Sequence, residues 1–464
     1  MKKNTFAFLL GLLFISVFKS EGQSSPTKAK IFGREIQTNS TNGFIRCAST
    51  EYELSLREKY PKRLNTEEFE RWIAPKIEAV KSKMAAKRGT NETNTVITIP
   101  VVVHVIHNGD AVGSNENISD ARILSQIAVL NQDFRRMVDT PGFNSTTVGA
   151  DVEIEFCLAK RKPDGTATDG INRINLGVES WATESSIEEN LKPVTQWDPT
   201  QYLNLWVAQF TTDEDEELNG ILGYAQFPSD SGLSGTPANG GDSVTDGVII
   251  DWRCFGTSVM APGEYFAIYD RGRTTTHEVG HFLGLRHIWG DNNLCQVNNS
   301  DSFKDYCPDT PAAAQAHYIC LVNDSCPSNP GNDMIENYMD YTNDACMNIF
   351  TSDQKNRMLT VMQNSTRRKS LVTSKACAMP LDTNDFKIYP NPNNGNFTIE
   401  FNSNSGSDIT IDVYDISGRR IFTQSYPKKK LFSENLQLNN LQSGVYLVNV
   451  EDGNRTEVRK IIVN

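Results

Sequence analysis

One eleven-residue segment has the residue types and the spacing of a catalytic zinc site. Residues 277–287 read His-Glu-Val-Gly-His-Phe-Leu-Gly-Leu-Arg-His. His277 and His281 are four residues apart, so on a helix their imidazoles lie on one face and can bind the same ion. Gly284 can end that helix because glycine adopts the left-handed conformation, and the following turn would bring in His287 as third ligand. Three protein ligands leave the fourth position of a tetrahedral zinc ion open for water.

Glu278 indicates what such a zinc ion would do. It follows the first histidine and can accept a proton from the bound water, while zinc acidifies that water and polarises a carbonyl group. The predicted chemistry is hydrolysis, with Glu278 as general base and then as the acid that protonates a leaving amine. The short pattern HExxH occurs by chance in many proteins, but the extended pattern HExxHxxGxxH present in this chain is far more specific.

A second segment supports this interpretation. Residues 337–341 read Asn-Tyr-Met-Asp-Tyr and, with the histidine motif, resemble the metzincin clan of zinc endopeptidases. The wider context, HEVGHFLGLRHIWGD followed by NYMDYTNDACM, is similar to the pappalysin family in particular. The resemblance covers about residues 95–362. It implies a secreted zinc endopeptidase that cleaves protein and peptide substrates.

The same resemblance assigns roles to two residues near the predicted metal. Met339 would lie in the Met-turn, packed beneath the zinc ion without binding it. Tyr341 resembles the tyrosine that hydrogen-bonds the tetrahedral intermediate in several metzincins, and a phenol is a suitable donor to a developing oxyanion. The alternative for Tyr341 is a buried tyrosine that only packs.

The order of apolar segments predicts the fold class. We expect an α/β metzincin-like catalytic domain, with a twisted mixed sheet plus an active-site helix and a loop-rich, disulfide-bonded lower subdomain, followed by a C-terminal all-β sandwich. The predicted segments are a signal peptide (1–22), a propeptide (23–90), the catalytic domain (91–365), a linker (366–383) and the sandwich (384–464). The alternative for 23–90 is a helical subdomain that stays in place. Pro61 and Pro75 are expected to break its helical pattern into short pieces.

Several catalytic-domain elements can be placed individually. Ser119 is the expected N-cap of a helix that carries Ile123, Ile127 and Leu130. The active-site helix should begin near Thr274. Predicted strands cover 96–105, 152–158, 202–208, 220–227 and 247–251. In the tail they cover 386–389, 397–401, 409–414, 420–423, 445–450 and 458–463.

The C-terminal tail has a resemblance of its own. Its segments YPNP (389–392), VYDISG (413–418), SGVY (443–446) and KIIV (460–463) resemble the C-terminal sorting domain of type IX secretion. This implies export through the periplasm by the type IX secretion machinery, to a released or surface-attached form. The alternative is an adhesive β-sandwich.

The chain has nine cysteines, and an odd number in an exported protein implies at least one thiol outside the disulfides. Sequence spacing does not give the pairing. The pappalysin resemblance implies the pairs Cys295 with Cys326 and Cys320 with Cys346, although Cys307 could shift either of them. The connectivity of four cysteines stays open: Cys157, Cys254, Cys307 and Cys377.

Cys47 lies in the predicted propeptide, away from the other cysteines. A thiolate is a strong zinc ligand and would displace the catalytic water, so Cys47 is a candidate latency switch, with Arg46 favouring the thiolate. The alternative is a disulfide to one of the four cysteines of open connectivity.

Substrate and calcium sites are predicted on weaker grounds. Asp344, just after the Met-turn segment, could line a pocket that favours Arg or Lys after the cleaved bond, and 220–227 could be the edge strand that holds an extended peptide. Lys87-Arg88 and Arg367-Arg368-Lys369 would then be self-processing sites. By resemblance a structural Ca²⁺ is expected in 291–309, and the alternative is a merely solvated loop. Its candidate ligands are Asp291, Asp301, Asp305 and Asp309.

Composition argues against other classes of function. The 464 residues carry a formal net charge of −12, which does not favour nucleic-acid binding. The mature part has no run of about eighteen apolar residues, so no membrane span is expected. The remaining histidines, His104, His107 and His317, are predicted to be structural. The rival hypothesis is a catalytically idle, zinc-containing surface adhesin, and the intact Glu278 argues against it.

Overall fold

The computed structural model describes residues 30–36, 39, 42–87, 95–229, 243–295, 305–378, 386–403, 406–439, 441–453 and 455–464. The predicted signal peptide lies outside these ranges, as do Arg88 and Asp301. Within these ranges, no helix has the length and apolar character that crossing a membrane requires.

The predicted propeptide, called the pro-segment below, forms a small hairpin and two helices. Its elements are β1 (Lys30–Ile31), β2 (Arg34–Glu35), α1 (Ser49–Lys59) and α2 (Thr66–Lys87). Pro61 falls between the helices, but the prediction that Pro75 breaks the pattern is wrong, because Pro75 lies inside α2. Phe69 and Ile73 of α2 are buried against Val361. Burying each side chain contributes about 1.5–3 kcal/mol, enough to offset the roughly 3 kcal/mol cost of an interior proline.

A mixed sheet forms the centre of the catalytic domain. Its strands are β3 (Ile97–His107), β4 (Ile154–Leu158), β5 (Ile171–Asn175), β6 (Leu203–Ala208), β7 (Gly223–Ala225) and β8 (Val248–Asp251). The order is β4-β3-β6-β8-β7, with β5 also paired to β3, and only β7 is antiparallel to its neighbour. The long apolar run of β3 is buried through most of its length, as its sequence predicts. Strand β5 is not among the predicted strands, because it is half-exposed and lacks a strong apolar pattern.

Helices pack on this sheet and against each other. They are α3 (Asp120–Phe134), a π-helical segment (Ser186–Leu191), α4 (Lys192–Thr195), α5 (Arg273–Phe282), α6 (Ser352–Asn364) and α7 (Arg368–Leu371). Short 3₁₀ turns cover Ser243–Thr245 and Trp252–Cys254. Ser119 caps α3 as expected, its hydroxyl accepting from the Arg122 N–H. The active-site helix α5 ends just before Gly284, whose φ of +92° is left-handed.

The two faces of the sheet bury different partners. One face packs with α3, α5 and the segment around Met339 in the main core. On the other, Tyr52 and Ile45 of the pro-segment are buried with Trp206 and Tyr224 of the sheet. The described part of the pro-segment is therefore packed against the sheet.

Three disulfides are formed. Cys295 pairs with Cys326 and Cys320 with Cys346, the two pairs that the resemblance implied. A third disulfide joins Cys157 of β4 to Cys377. Three buried cysteines keep free thiols: Cys47, Cys254 and Cys307. The disulfide alternative for Cys47 is therefore not realised.

The segment predicted as a linker belongs in part to the catalytic domain. Arg368 is buried, and its guanidinium pairs with buried Asp246 at 2.8 Å. Cys377 is held by its disulfide to Cys157. Processing at Arg367-Arg368-Lys369 does not fit this geometry, because a protease needs an accessible segment, whereas the Arg367 and Arg368 side chains are held by Asp246.

The tail forms two antiparallel sheets around its own core. Its strands are β9 (Lys387–Tyr389), β10 (Asn396–Asn402), β11 (Ile409–Asp415), β12 (Arg420–Tyr426), β13 (Leu431–Gln437), β14 (Gly444–Asp452) and β15 (Arg455–Val463). The sheet orders are β13-β10-β9 and β12-β11-β14-β15. The predicted all-β region is confirmed. Strand β13 is not among the predicted strands, because only Phe432 and Leu436 of its seven residues are buried.

Candidate active site

The three motif histidines converge on one point. His277 and His281 lie on α5, and the chain reverses at Gly284 to bring in His287. The Nε2 atoms of His277 and His281 are 3.1 Å apart, those of His281 and His287 3.1 Å, and those of His277 and His287 3.3 Å. A tetrahedral zinc ion with bonds of about 2.0–2.1 Å requires nitrogens about 3.3 Å apart.

The second nitrogen of each imidazole fixes its orientation. Nδ1 of His277 lies 2.7 Å from the Tyr338 carbonyl, and Nδ1 of His281 lies 2.8 Å from the Leu285 carbonyl. Nδ1 of His287 contacts the Asp291 carboxylate. Because these partners accept hydrogen bonds, the protons sit on Nδ1 and each Nε2 presents a lone pair to the common point. Converging lone pairs in a buried site repel each other unless a cation binds them, so the residues fit zinc.

Burial supports the neutral, metal-binding form of these rings. Burial, with the neighbouring histidines adding to it, lowers the pKa of His277 and His281 well below the ordinary value. The fourth group at this point is the Cys47 sulfur, and the four ligand atoms lie within 4.8 Å of one another. Within the described ranges, this is the one cluster of such groups that could hold a metal ion.

Glu278 points to the same place and is held by the pro-segment. Its Oε2 accepts a hydrogen bond from the Ser49 hydroxyl at 2.6 Å and lies 3.4 Å from the Cys47 sulfur. Burial raises the pKa of Glu278 to about 7. The Ser49 hydroxyl oxygen also accepts a hydrogen bond from the backbone N–H of Ala225, on the edge strand, at 2.8 Å. One hydroxyl of the pro-segment therefore binds both the Glu278 carboxylate and a backbone donor of the edge strand.

The segment 337–341 passes beneath and beside the histidines. Met339 is buried under α5, where a Cβ added at Gly280 would lie 2.5 Å from its sulfur. The Tyr341 ring lies 4.8 Å from the His287 ring, and its hydroxyl is 3.4 Å from the Cys47 carbonyl. The Tyr341 hydroxyl is therefore placed to contact a backbone carbonyl of the segment that lies over the histidines.

Asp344 lines a pocket that the pro-segment fills. Its Oδ1 is 2.8 Å from the Arg46 guanidinium, and both side chains are fully buried. Its Oδ2 accepts the backbone N–H groups of Arg271 and Arg273. The Arg46 guanidinium also stacks on Tyr269, 4.8 Å from the ring centroid. The sequence predicts that Arg46 favours the thiolate form of Cys47, but its charge is neutralised by Asp344. Burial and the Glu278 carboxylate instead raise the pKa of the Cys47 thiol.

The pro-segment crosses the site along the edge strand. Ile45 forms a parallel bridge with Ile221, and its N–H donates to the Gly220 carbonyl at 2.8 Å. The Ala48 N–H donates to the Gly223 carbonyl at 3.2 Å. The predicted peptide-binding strand thus holds an extended segment of this chain, running in the same direction as the strand.

The other predicted site residues lie elsewhere. His104 is buried between Asn204 and Asn172, and His107 accepts the Gly109 N–H. Of the calcium candidates, Asp291 orients His287, Asp305 accepts from Thr310, and Asp309 accepts from the Asp353 N–H. These three do not converge. The contacts of Ser49 with Glu278 and Ala225, and of Thr50 with Asp291, are not predicted from the sequence. No sequence signal marks them, because they depend on how the pro-segment folds over the site.

The chain is similar to known metalloproteases. Residues 255–363 match the family model described as pregnancy-associated plasma protein-A. An extracellular metalloprotease of Neurospora crassa is 31% identical over 284 residues, covering 60% of this chain and 80% of the relative. One of Verticillium alfalfae is 31% identical over 284 residues, covering 61% of this chain and 82% of the relative.

The chain belongs to the pappalysin family of zinc metallopeptidases. As a pappalysin it is a zinc-dependent metalloendopeptidase. Among solved structures, mature mirolysin of Tannerella forsythia in complex with a cleaved peptide is 38% identical, with a TM-score of 0.49, covering 61% of this chain and 97% of that one. A promirolysin mutant from the same organism is 34% identical, with a TM-score of 0.49, covering 70% and 96%.

This pappalysin carries a second recognisable unit. Residues 387–464 match the secretion system C-terminal sorting domain. Together with the extracellular relatives, this tail places the enzyme outside the cell, either secreted or at the cell surface.

Proposed function

We propose that this pappalysin is made as a latent zymogen in which Cys47 closes the zinc site. The position of the Cys47 sulfur carries this proposal, because it lies in one cluster with the Nε2 atoms of His277, His281 and His287. A thiolate there would take the fourth position of a tetrahedral zinc ion and exclude the water needed for hydrolysis. Zinc would also supply the charge that keeps the buried thiol ionised.

In the open enzyme the residues now held by the pro-segment would carry the reaction. When bound, zinc polarises the scissile carbonyl and acidifies water. Glu278, released from Ser49, accepts the proton of the attacking water and passes it to the leaving amine. The Tyr341 hydroxyl, now beside the Cys47 carbonyl, donates to the oxygen on which negative charge develops. The Ala225 N–H, now on Ser49, is available to bind a substrate carbonyl.

Arg46 indicates the preferred substrate. Its guanidinium sits in the Asp344 pocket at 2.8 Å, so a pocket that accepts a cationic side chain is already formed. A charged hydrogen bond in such a buried place favours Arg or Lys strongly over apolar residues. We propose that this pocket binds the Arg or Lys that follows the cleaved bond.

The direction of the pro-segment predicts that it is not cut at Cys47. Arg46 precedes Cys47, yet it fills the pocket assigned to the residue that follows the cleaved bond. A substrate must therefore run opposite to the pro-segment, antiparallel to the edge strand. With the chain reversed, the Cys47 peptide group does not present its carbonyl and nitrogen to Glu278 in the order that cleavage requires.

The test compares the full chain with two variants in cleavage of casein and of a peptide containing one arginine. The wild-type chain should be latent, Cys47→Ala should cleave or self-activate at least tenfold faster, and Cys47→Ala combined with Glu278→Ala should be inactive. Chelation of zinc should abolish all activity, and added zinc should restore it. Cys307→Ala is the matched control, since Cys307 is another buried free thiol that lies outside the metal cluster.

The outcomes separate the parts of the proposal. A Cys47→Ala chain that stays fully latent would remove the switch. Equal activity with and without Glu278 would remove its role as general base. If no form cleaves any protein or peptide although each binds one zinc, the idle adhesin would regain weight.

The tail and calcium are proposed separately. We propose that residues 387–464 are read by the type IX secretion machinery, so a chain lacking them should stay in the periplasm of its own host. Calcium binding stays a prediction from the resemblance. It predicts that a calcium-selective chelator lowers the melting temperature and that added Ca²⁺ restores it, whereas an unchanged melting temperature would contradict it.

A further inference from the structure

A buried carboxylate of the pro-segment is clamped by two arginines of the catalytic domain. Glu70, on α2, receives two parallel hydrogen bonds from Arg357 on α6, at 2.7 and 2.5 Å. The Arg286 Nε lies 3.2 Å from the same carboxylate. The Arg357 side chain is 1% exposed, and that of Glu70 is 10% exposed. This is the two-pronged geometry with which arginine binds carboxylates most tightly.

The arginines are held by the catalytic domain and not only by Glu70. The Arg357 Nε donates to the Gly284 carbonyl at 2.6 Å, which fixes its guanidinium against the end of the active-site helix α5. The Arg286 guanidinium lies over the Phe227 ring, 5.5 Å from its centroid. When the pro-segment leaves, both side chains keep these contacts and lose their carboxylate. Arginine stays protonated in proteins, so two partly desolvated positive charges would remain without their anion.

Arg286 and Arg357 lie next to the catalytic centre, at one end of the edge strand. The Phe227 ring that Arg286 covers is 5.0 Å from the ring of His281. Phe227 lies just after β7, at the carboxyl end of the edge strand. The pro-segment runs toward this end after Cys47. Since a substrate runs opposite to the pro-segment, its residues before the cleaved bond lie at this end.

We propose that Arg286 and Arg357 form a subsite of the mature enzyme that binds an acidic side chain of the substrate, on the amino-terminal side of the cleaved bond. This rests on the proposed function, because the subsite opens only when the pro-segment is removed. Glu70 is then the internal stand-in for that substrate carboxylate. The enzyme would recognise two substrate side chains of opposite charge, an acidic one before the cleaved bond and a basic one after it.

The first experiment tests the anion site in the full chain. Glu70→Ala removes the carboxylate and leaves the arginines, and breaking such a buried pair should lower the melting temperature by about 5–10 °C. Propionate, which replaces the lost side chain, should restore several degrees in Glu70→Ala and have no such effect on the wild type, while the neutral propionamide should not. Glu78→Ala is the control, because Glu78 lies on the same helix with an exposed side chain. A Glu70→Ala chain that propionate and propionamide affect equally would overturn the anion site.

The second experiment tests its use in the mature enzyme released from the pro-segment. Peptides with one arginine after the cleaved bond carry either Glu or Gln at each position before it. At one position kcat/KM should be at least tenfold higher for Glu, and Arg286→Gln should reduce this Glu-to-Gln ratio toward one. Arg135→Gln, which alters a surface arginine paired with Asp151, should leave the ratio unchanged. Free propionate should compete with the Glu peptide and not with the Gln peptide.

The result that would overturn the subsite differs from the result that would overturn the proposed function. Equal cleavage of Glu and Gln peptides at every position would overturn the subsite and leave the zinc endopeptidase intact. If the mature form cleaves neither the Glu peptides nor the Gln peptides, the proposed function is overturned. The role of the subsite in binding substrate is then overturned as well.

Discussion

The proposed preference for Arg or Lys rests on a single carboxylate, that of Asp344. It is buried, and the backbone N–H groups of Arg271 and Arg273 fix one of its oxygens, so the other is aimed at the occupant of the pocket. In the structure, and in the proposed zymogen, that occupant is Arg46. A fixed carboxylate selects by charge because an unpaired buried ion costs several kcal/mol.

Asp344→Asn should therefore change the preference of the mature enzyme. We expect kcat/KM for peptides with Arg or Lys after the cleaved bond to fall about a hundredfold, since a charged hydrogen bond contributes roughly 1.5–3 kcal/mol. Peptides with Leu at that position should lose little. Cleavage of paired peptides that differ only at this residue measures the effect, and an equal loss for both would show that Asp344 only maintains the fold.

His317 bridges two carboxylates beside the Met339 segment. Its Nδ1 lies 2.8 Å from Asp340 and its Nε2 lies 2.9 Å from Asp333. Asp340 also accepts the backbone N–H of Tyr341 at 2.7 Å, so the bridge leads to the predicted catalytic tyrosine. Burial alone would lower the pKa of His317, but the hydrogen bonds and charges of Asp340 and Asp333 hold it above the ordinary value.

This bridge predicts a pH-dependent contribution to stability. Because the folded-state pKa is raised, the contribution is fully present below the unfolded pKa of about 6.5 and is lost as pH rises through the folded-state value. The stability difference between wild type and His317→Gln should thus be largest near pH 6 and shrink toward pH 9, in urea unfolding. His107→Gln is the control, because His107 accepts the Gly109 N–H instead. A difference that is constant with pH would show that folding does not shift the pKa of His317.

At the scale of elements, the active site depends on the close approach of α5 to the segment that carries Met339. Gly280 allows this approach, because a Cβ at that position would lie 2.5 Å from the Met339 sulfur. Gly280 lies between His277 and His281, the proposed zinc ligands, on the same helix, so any shift of α5 also moves their imidazoles. Packing between the two elements therefore sets the geometry of the histidines.

Gly280→Ala should destabilise the protein, although alanine favours helices. The gain in helix propensity is about 1 kcal/mol, whereas forcing an extra methyl into a buried contact costs about 1–3 kcal/mol. We expect a net loss of up to about 2 kcal/mol and at least a tenfold drop in activity. Gly263→Ala is a suitable control, since its nearest neighbouring atom would be 3.9 Å from the added Cβ. Urea unfolding and peptide cleavage measure both effects, and a stabilised Gly280→Ala would contradict the packing argument.

At the scale of the whole molecule, the chain after α6 completes the catalytic domain before the tail begins. Arg368 reaches back to Asp246, to the Phe282 carbonyl at the end of α5 and to the Gln226 carbonyl beyond the edge strand. Its guanidinium lies 3.3 Å from the Phe282 ring centroid. Although burial opposes ionisation, Arg367 and Arg368 lower the pKa of Asp246 to about 2. The disulfide from Cys377 closes the same unit.

A chain that ends after residue 378 should therefore fold and mature, and one that ends after residue 365 should not. The shorter chain leaves buried Asp246 without Arg367 and Arg368, which costs about 3–5 kcal/mol, and lacks a disulfide that contributes about 2–5 kcal/mol. The sum is comparable to the total stability of a domain. Circular dichroism, urea unfolding and casein cleavage compare the two lengths. Equal stability would restore the predicted boundary at 365.

The sequence by itself determined the metal-binding chemistry, the family and the order of the main elements. Helical spacing places His277 and His281 on one face wherever the helix lies, and a glycine that ends the helix determines where His287 can turn back. Long apolar runs such as β3 and the alternating tail strands are also local patterns. These features depend on neighbours within a few residues, which is why they can be predicted.

Only the tertiary structure decided how the site is closed and where the domain ends. It brought Cys47 to the histidines, Arg46 to Asp344, Glu70 to Arg357 and Arg368 to Asp246. It also kept Pro75 inside a helix that burial stabilises. Each of these contacts joins residues far apart in the chain, and its energy comes from burial and charge pairing that no local pattern records.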